Sequence, residues 1–321
     1  MQNTPLVSVI IPSHNRPELL PEALASVAAQ TLTDWEVIIV DDGSSPIVNE
    51  QDIKAQFGSK FQVLRLAVAQ GGPTAKNTGV NAASGKYLAF LDDDDLYAPT
   101  YLATAIETLE ANPQISTLFM GVDFFGANSQ WAQDNVPKTM EKVLADAQGI
   151  NKNDHLIQFD THLFPALLKR VPMPFQRPVT TRAHFHQVGL YQQDCLLWDC
   201  DWALRAALNN VCGLFNVGLY LQRVGGQGYS SSPRRRLEHA VSGLAIKKQL
   251  LADPRADLYK KQINDAVIEA GQDVAWEYIT QGKDLKAFTF LLGTLRYGVT
   301  LLQLKFLLHA LYSCIRKNNA A

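Results

Sequence analysis

The sequence is poor in cysteine, with four in 321 residues (Cys195, Cys200, Cys212 and Cys314) and no Cys-x-x-Cys spacing among them. That excludes a paired-thiolate metal site or redox motif, and the cysteines read as buried small residues of a reducing compartment. A basic surplus is also missing: 29 Lys and Arg face 31 Asp and Glu, for a formal net charge of -2. Nucleic acid is therefore not an expected partner. No unbroken apolar run reaches the roughly 18 residues of a membrane span. Met1-Gln2-Asn3-Thr4-Pro5 lacks the charged and apolar regions of a signal peptide, so a cytoplasmic location is expected. Glycine phosphate loops are absent too. Neither Gly-x-x-x-x-Gly-Lys-Ser/Thr nor Gly-x-Gly-x-x-Gly follows the first apolar run, which argues against a P-loop or dinucleotide site.

What is there begins with near-continuous apolar runs. Leu6–Ile11, Trp35–Val40, Phe61–Leu66 and Tyr87–Leu91 have the length and composition of buried strands. Between them, Leu20, Ala23, Leu24 and Val27 recur at helical spacing, and Thr74 to Ala83 reads as a helix of small residues. The alternation predicts an α/β fold with a doubly wound, mainly parallel, Rossmann-like sheet. Asn15, with Glu18 three residues on and Pro17 between, predicts the cap of the first helix.

The strand ends are polar. Asp92-Asp93-Asp94-Asp95 follows the fourth run, Asp41-Asp42 the second, and Ser13-His14-Asn15 the first. In open α/β sheets, ligands bind beyond the carboxyl ends of the strands. Carboxylates this close repel one another unless a cation sits among them. Oxygen donors alone suit Mg2+ or Mn2+. A solvated acidic turn leading into a helix at Pro99 is the competing reading. The convergence of three polar strand ends favours a cleft, and a nucleotide bound there without a glycine loop needs its diphosphate neutralised by a metal.

Four blocks, Val9-Ile10-Ile11-Pro12-Ser13-His14-Asn15, Val40-Asp41-Asp42-Gly43-Ser44, Gly72-Pro73-Thr74-Ala75-Lys76-Asn77-x-Gly79 and Gly85-Lys86-Tyr87-x-x-Phe90-Leu91-Asp92-Asp93-Asp94-Asp95, resemble the family 2 glycosyltransferases in order and spacing. The resemblance implies a GT-A fold and inverting transfer from a nucleotide sugar, a UDP-sugar first of all. It implies that Pro12, Ser13, His14, Asn15 and Asp41 contact the nucleoside, with Asp41 meeting the base. Gly72 and Lys76 would attend the donor. Lys76 stands where many relatives carry arginine, so it keeps the charge and loses the bidentate fork. The Asp-x-Asp motif falls on Asp92 and Asp94. Asp94 is then the foremost ligand of Mn2+ or Mg2+, Asp92 assists it, Asp92 and Asp93 attend the nucleotide, and Asp95 belongs to the next helix start. His14 either stacks on uracil or caps the loop.

Residues 126–160 lose periodicity and read as an irregular acceptor-side connection, and Val179 to Ala183 reads as extended. His184 and His186 read as structural. Trp198-Asp199-Cys200-Asp201-Trp202-Ala203-Leu204-Arg205 resembles the family block whose aspartate is the catalytic base, here Asp199. Inverting transfer needs one carboxylate to take the acceptor proton; helix capping is the competing role for Asp199. Asp201 lies four residues before Arg205 and is placed to pair with it. Trp198 replaces the glutamate common in relatives. Arg223 and Val224-Gly225-Gly226-Gln227-Gly228-Tyr229-Ser230 resemble a lid over the donor, with Arg223 either on the diphosphate or on the surface. Arg234-Arg235-Arg236 would serve donor phosphates, a lipid phosphate or solubility.

From Leu237 onward the pattern is helical. Residues 285–317 are rich in leucine and carry Lys286, Arg296, Lys305, Arg316 and Lys317 without an acid. A membrane interface, a hairpin packed on the catalytic domain and a homodimer interface all fit that pattern. The expected organisation is a transferase domain over 1–235, with a nucleotide-sugar half (1–125) and an acceptor half (126–235), then a helical region (236–321). The expected function is metal-dependent inverting transfer of a sugar to a hydroxyl of a saccharide or lipid-linked saccharide, in surface polysaccharide, lipopolysaccharide or glycolipid assembly. With lipid contact, the protein would be peripheral on the inner face of the plasma membrane. The alternatives are an inactive nucleotide-sugar-binding protein and a sugar-phosphate nucleotidyltransferase. The latter class places a basic glycine-rich loop after its first strand, which Pro12 to Arg16 does not match.

Overall fold

The computed structural model describes residues 4–127, 129–208, 210–225 and 235–318. Two compact units emerge, Met1–Gln193 with Trp198–Gly226, and Asp194–Leu197 with Gln227–Ala321. The first contains β1 (Val7–Ser13), α1 (Leu20–Ala28), β2 (Trp35–Asp42), α2 (Glu50–Phe57), β3 (Phe61–Leu66), α3 (Gly72–Ala82), β4 (Tyr87–Phe90), β5 (Leu96–Tyr97), α4 (Tyr101–Ala111) and β6 (Thr117–Phe125). It continues with α5 (Ser129–Ala147), β7 (Ile150–Asn151), β8 (Leu156–Phe159), α6 (Leu163–Lys169), β9 (Pro178–Thr181), α7 (Arg182–Val188), α8 (Trp198–Ala207) and β10 (Cys212–Arg223).

The sheet runs β3-β2-β1-β4-β9-β6-β10-β8-β7, with β5 beside β10. β1, β2, β3 and β4 pair in parallel, as do β6 and β10. β9 is antiparallel to both β4 and β6 and joins the two halves. Successive side chains of a strand point to opposite faces. Val7, Val9 and Ile11 enter a core with Leu24, Leu102 and Ile106 on one face. Ile10 points to the other, where a Cβ at Gly79 of α3 would lie 2.5 Å from its Cγ2, so a side chain here would force α3 away from the sheet. The expected α/β sheet with flanking helices is present.

Three local expectations are corrected. Asn15 does not cap α1. That helix starts at Leu20 without a side-chain cap, and Asn15 sits in the left-handed region at φ 53°. Residues 126–160 are not irregular, because α5 spans most of them. Its buried positions, Ala132, Met140, Val143 and Ala147, are too sparse to show as periodicity, and Pro137 lies inside the helix. The extended stretch ends at Thr181, whose side chain accepts from His184 N–H and starts α7.

The second unit contains α9 (Arg236–Leu251), α10 (Lys260–Thr280), α11 (Asp284–Thr294) and α12 (Leu301–Asn318). Helix therefore dominates from Leu237 onward, as the sequence pattern predicts. Ala275, Ala287, Leu291, Leu307 and Ala310 form one core of it. Among the described residues, no helix is long and apolar enough to cross a membrane. Of Cys195, Cys200 and Cys212, only Cys212 is fully buried. Gly226 to Arg234 and the side chains of Cys314, Arg316 and Lys317 lie outside the described residues.

Candidate active site at the carboxyl edge of the sheet

Because β1, β2 and β4 are parallel, their carboxyl ends share one edge. β9 runs the opposite way, so its first residue lies at that same edge, and Arg177 immediately precedes it. Chain direction alone thus brings a cation to the acids.

The two acids ending β2 have different tasks. Asp42 Oδ1 and Oδ2 accept the Gln70 and Gly71 N–H groups at 2.7 and 2.8 Å, which fixes the turn into α3. Asp41 accepts Ser44 N–H at 2.9 Å and Val48 N–H at 3.2 Å, and pairs with Arg65. Burial pushes its carboxyl up, but the Ser44, Val48 and Arg65 hydrogen bonds outweigh this and leave it below the usual range. Gly43, at φ 69°, lets this corner form; a Cβ there would lie 2.5 Å from Ala69 N. Gly43→Ala is expected to cost about 1–3 kcal/mol, read as a lower urea midpoint at unchanged slope.

The loop after β1 is tied to this corner. His14 Nδ1–H donates to the Asp42 carbonyl at 2.6 Å, and Asn15 Nδ2 donates to His14 Nε2 at 3.0 Å. Asn15 N–H donates to Ser44 Oγ at 3.0 Å, and Asn15 Oδ1 accepts Ser45 N–H at 2.8 Å. Both ring nitrogens of His14 are engaged within the loop, while the residue stays exposed. Pro12 is half-buried and Ser13 buried beneath it.

Beyond β4 the four acids are no longer equivalent. Asp92 Oδ1 accepts Lys76 Nζ at 2.7 Å, and Arg177 Nη2 lies 3.4 Å from Asp92 Oδ2. Burial raises the Asp92 carboxyl, and Lys76 and Arg177 overcome it, holding the group at about 2. Asp93 accepts His14 N–H at 3.3 Å and is pushed up to about 6 by burial, with Ser13 and Arg16 opposing and Asp94 and Asp92 adding. Asp94 pairs with Arg16 at 3.4 Å; burial and then the Asp92 charge raise its carboxyl, with Arg16 and Arg177 opposing.

Asp95 is not part of a helix start. It is 3% exposed, accepts the Tyr220 hydroxyl at 2.8 Å and the Arg223 N–H at 2.8 Å, and lies 3.7 Å from Arg177. Burial pushes it up to about 7. Arg177 itself is 5% exposed, packs its guanidinium 4.5 Å from the Tyr220 ring centre, and has an Nε without a protein partner. The Arg223 side chain ties the backbone of the acid run to α1. Its Nε donates to the Asp94 carbonyl at 2.9 Å and its Nη2 to Glu22 at 2.6 Å, bracing the acid loop from outside.

Asp199 lies in the first turn of α8 and is half-buried. Its Oδ1 accepts Cys200 N–H at 2.8 Å. Burial raises its carboxyl; Arg177, the Cys200 N–H and Lys76 pull it down, and Asp92 pushes it up, with a net rise. The preceding Trp198 anchors this turn on α3, with Lys76 Nζ 4.5 Å from its ring centre and its Cζ2 3.5 Å from where a Gly72 Cβ would stand. Asp201 pairs with Arg205 at 2.8 Å, the expected helix pair, and Arg205 also donates to Val188 and Leu190 carbonyls. Asp199 is thus the acid of this turn without a helix partner, and it lies within the field of Arg177, Lys76 and Asp92. His184 is buried on α7, away from any group of metal ligands.

Among the described residues, no three His, Cys, Asp or Glu groups are arranged to hold a metal by themselves. A nucleotide-associated Mg2+ or Mn2+ does not need such a cage, since one or two carboxylates with phosphates and waters suffice. Asp94 fits that role because its ion pair, with Arg16 at 3.4 Å, engages only Oδ2. Asp92 fits less well, as both of its oxygens already face cations.

Residues 8–170, just over half of the 321-residue chain, match the profile of Glycosyl transferase family 2. The chain belongs to this family. Among curated relatives of this family 2 protein, an uncharacterised glycosyltransferase of Rickettsia felis is 27% identical over 254 residues, covering 77% of this chain and 37% of the relative. The Escherichia coli UDP-Glc:alpha-D-GlcNAc-diphosphoundecaprenol beta-1,3-glucosyltransferase WfgD is 34% identical over 125 residues, 39% of this chain and 48% of WfgD. The chain spans less than half the length of these relatives. Among solved structures, residues 1-349 of Staphylococcus aureus TarS in complex with UDP-GlcNAc superpose at a TM-score of 0.63 with 17% identity, covering 95% of this chain and 79% of that one. The mannosyltransferase PcManGT of Pyrobaculum calidifontis, in complex with GDP-Man and Mn2+, gives 0.51 with 15% identity over 98% and 86% of the two chains. The likeness to both is one of fold, and it carries the GT-A assignment.

Proposed function

We propose that this family 2 glycosyltransferase performs inverting, metal-assisted transfer of a sugar from a UDP-sugar to a hydroxyl of a saccharide or lipid-linked saccharide. The observation that carries this reading is the placement of Asp199 within the field of Lys76, Arg177 and Asp92, on a helix turn that Trp198 seats against α3. Donor-binding and acid-base elements remote in sequence thereby share one edge. The names of WfgD and of the TarS complex support a UDP donor, and the lipid diphosphate in the name of WfgD supports a lipid-linked acceptor.

In this reading the corner of Asp41, Ser13 and His14 receives the nucleoside. Asp41 is fully buried behind Arg65, whose side chain is 39% exposed, so the base reaches it as Arg65 swings aside. A carboxylate has about four acceptor positions, so with Arg65 displaced and the Ser44 and Val48 N–H groups still bound there is room for a base N–H. Asp94, with Asp92 as the weaker second ligand, would hold the metal, which would supply positive charge against that of the departing diphosphate. Lys76 and the Arg177 pair position Asp92, while Asp93 faces the nucleotide side. Asp199 takes the acceptor proton.

Calorimetry with UDP-, GDP- and dTDP-sugars, each with and without Mn2+, tests the donor and the cation together. UDP-sugars are expected to bind, and more tightly with Mn2+. Asp94→Ala is expected to remove the Mn2+ enhancement and to slow nucleotide release during turnover by about a hundredfold or more. Binding without any sugar transfer or nucleotide release would favour the inactive nucleotide-sugar-binding reading.

A further inference from the structure

The last two helices seat polar groups beside their apolar core and turn other leucines outward. Facing inward are Asp284, Thr294 and Gln303, which are 5%, 2% and 0% exposed, while Leu285, Leu301 and Leu308 are 68%, 80% and 67% exposed. The inward polar groups are paired. Thr300 N–H donates to Gln303 Oε1 at 2.7 Å, and Gln303 N–H donates to Thr300 Oγ1 at 3.1 Å, a reciprocal box at the start of α12. Gln303 Nε2 donates to Thr294 Oγ1 at 3.2 Å, and Gln272 Nε2 of α10 donates to Thr300 Oγ1 at 3.2 Å. These bonds fix the rotation of α12 with Leu301, Leu304 and Leu308 outward and Leu307 inward.

Charge decides what covers them. Over residues 285–313 the chain has Lys286, Arg296 and Lys305, all exposed, and no Asp or Glu. At 100° per residue, Lys305 falls at the edge of the outward stripe formed by Leu301, Leu308 and Tyr312. A two-fold interface on this face would set the same patch against itself and bring cations together without an acid. A lipid interface offers phosphates for the cations and an acyl boundary for the leucines.

We propose that α11 and α12 form a docking element for an anionic bilayer surface, with the outward leucines at the acyl boundary and Lys286, Arg296 and Lys305 on the lipid phosphates. The binding is independent of sugar transfer and is measured without donor or acceptor. The full chain is sedimented with vesicles of phosphatidylcholine mixed with phosphatidylglycerol, and with phosphatidylcholine alone. Binding is expected to the mixed vesicles, to weaken with salt, and to be much lower on phosphatidylcholine. Replacing Lys286, Arg296 and Lys305 by Gln should lower it by roughly a hundredfold. Leu301→Ser with Leu308→Ser should lower it by more than about tenfold. Both sets lie on the surface, and unchanged circular dichroism checks the fold. Sedimentation absent from anionic vesicles, or unaffected by either set, overturns the proposal. So does a concentration-dependent dimer that the leucine substitutions dissociate in the absence of vesicle binding.

Discussion

Asp199→Asn should reduce the rate of sugar transfer by about a hundred- to ten-thousandfold while leaving donor affinity unchanged. The amide keeps the shape of the side chain and its acceptor oxygen for Cys200 N–H, so the turn of α8 persists. It cannot take a proton. Single-turnover transfer and donor calorimetry on the same preparation separate the two effects, and an unimpaired rate would remove Asp199 from the mechanism. The sign of the pH dependence follows from burial. A general base works ionised, and the Asp199 carboxyl is raised above its ordinary value by burial, against Arg177, Cys200 N–H and Lys76. Turnover should therefore decline, as pH falls, at a higher pH than an ordinary aspartate with its value near about 4 would give.

The second large effect is expected at Arg177. Its guanidinium is nearly buried and stands between Asp92 and Asp95, with Asp199 within its field. Arg177→Met fills much of the same space, leaves the buried Asp95 carboxylate without its cation and leaves Asp92 with Lys76 alone, at a cost of about 3–5 kcal/mol in urea unfolding. Lysine is expected to rescue little, because one ammonium cannot reproduce a planar fork that faces two carboxylates and lies over Tyr220. A purely structural role would stop at stability. The electrostatic role predicts more: without this positive charge the Asp199 carboxyl rises further, and the acid limb of the rate profile moves to higher pH.

The buried strands were legible because β1, β2 and β4 are apolar on both faces, and Asp41, Asp42 and Asp92 were legible because each follows such a run directly. Arg177 was not. It stands in Pro172-Met173-Pro174-Phe175-Gln176-Arg177-Pro178, where no periodicity marks an element and the strand that follows has four residues. The one available signal was the excess of acids over cations at the strand ends, which called for a buried positive group from elsewhere. Asp95 was misplaced for a related reason. Its partner Tyr220 lies 125 residues away, whereas local spacing offered only the nearby helix. At Asn15 the capping spacing was real, but the hydrogen bonds to Ser44 and Ser45 prevailed over it. Asp201 and Arg205 could be paired from sequence because a four-residue helical spacing decides the contact locally.

The antiparallel strand β9 also governs how the molecule can be assembled. It is the only described strand that joins the half-sheet β3-β2-β1-β4 to β6, and β10 in turn joins β6 to β8. The stretch matching the family profile stops at residue 170, before either strand. A fragment cut there would hold β4 and β6 with exposed hydrogen-bonding edges, and such edges recruit other chains. During synthesis the same unpaired edges persist until residues 178–181 and then 212–223 emerge. Pairings this distant in sequence close slowly. The acid-lined edge is therefore completed by late-made chain: until β9 and β10 are in place, the acids after β4 lack both Arg177 and Tyr220.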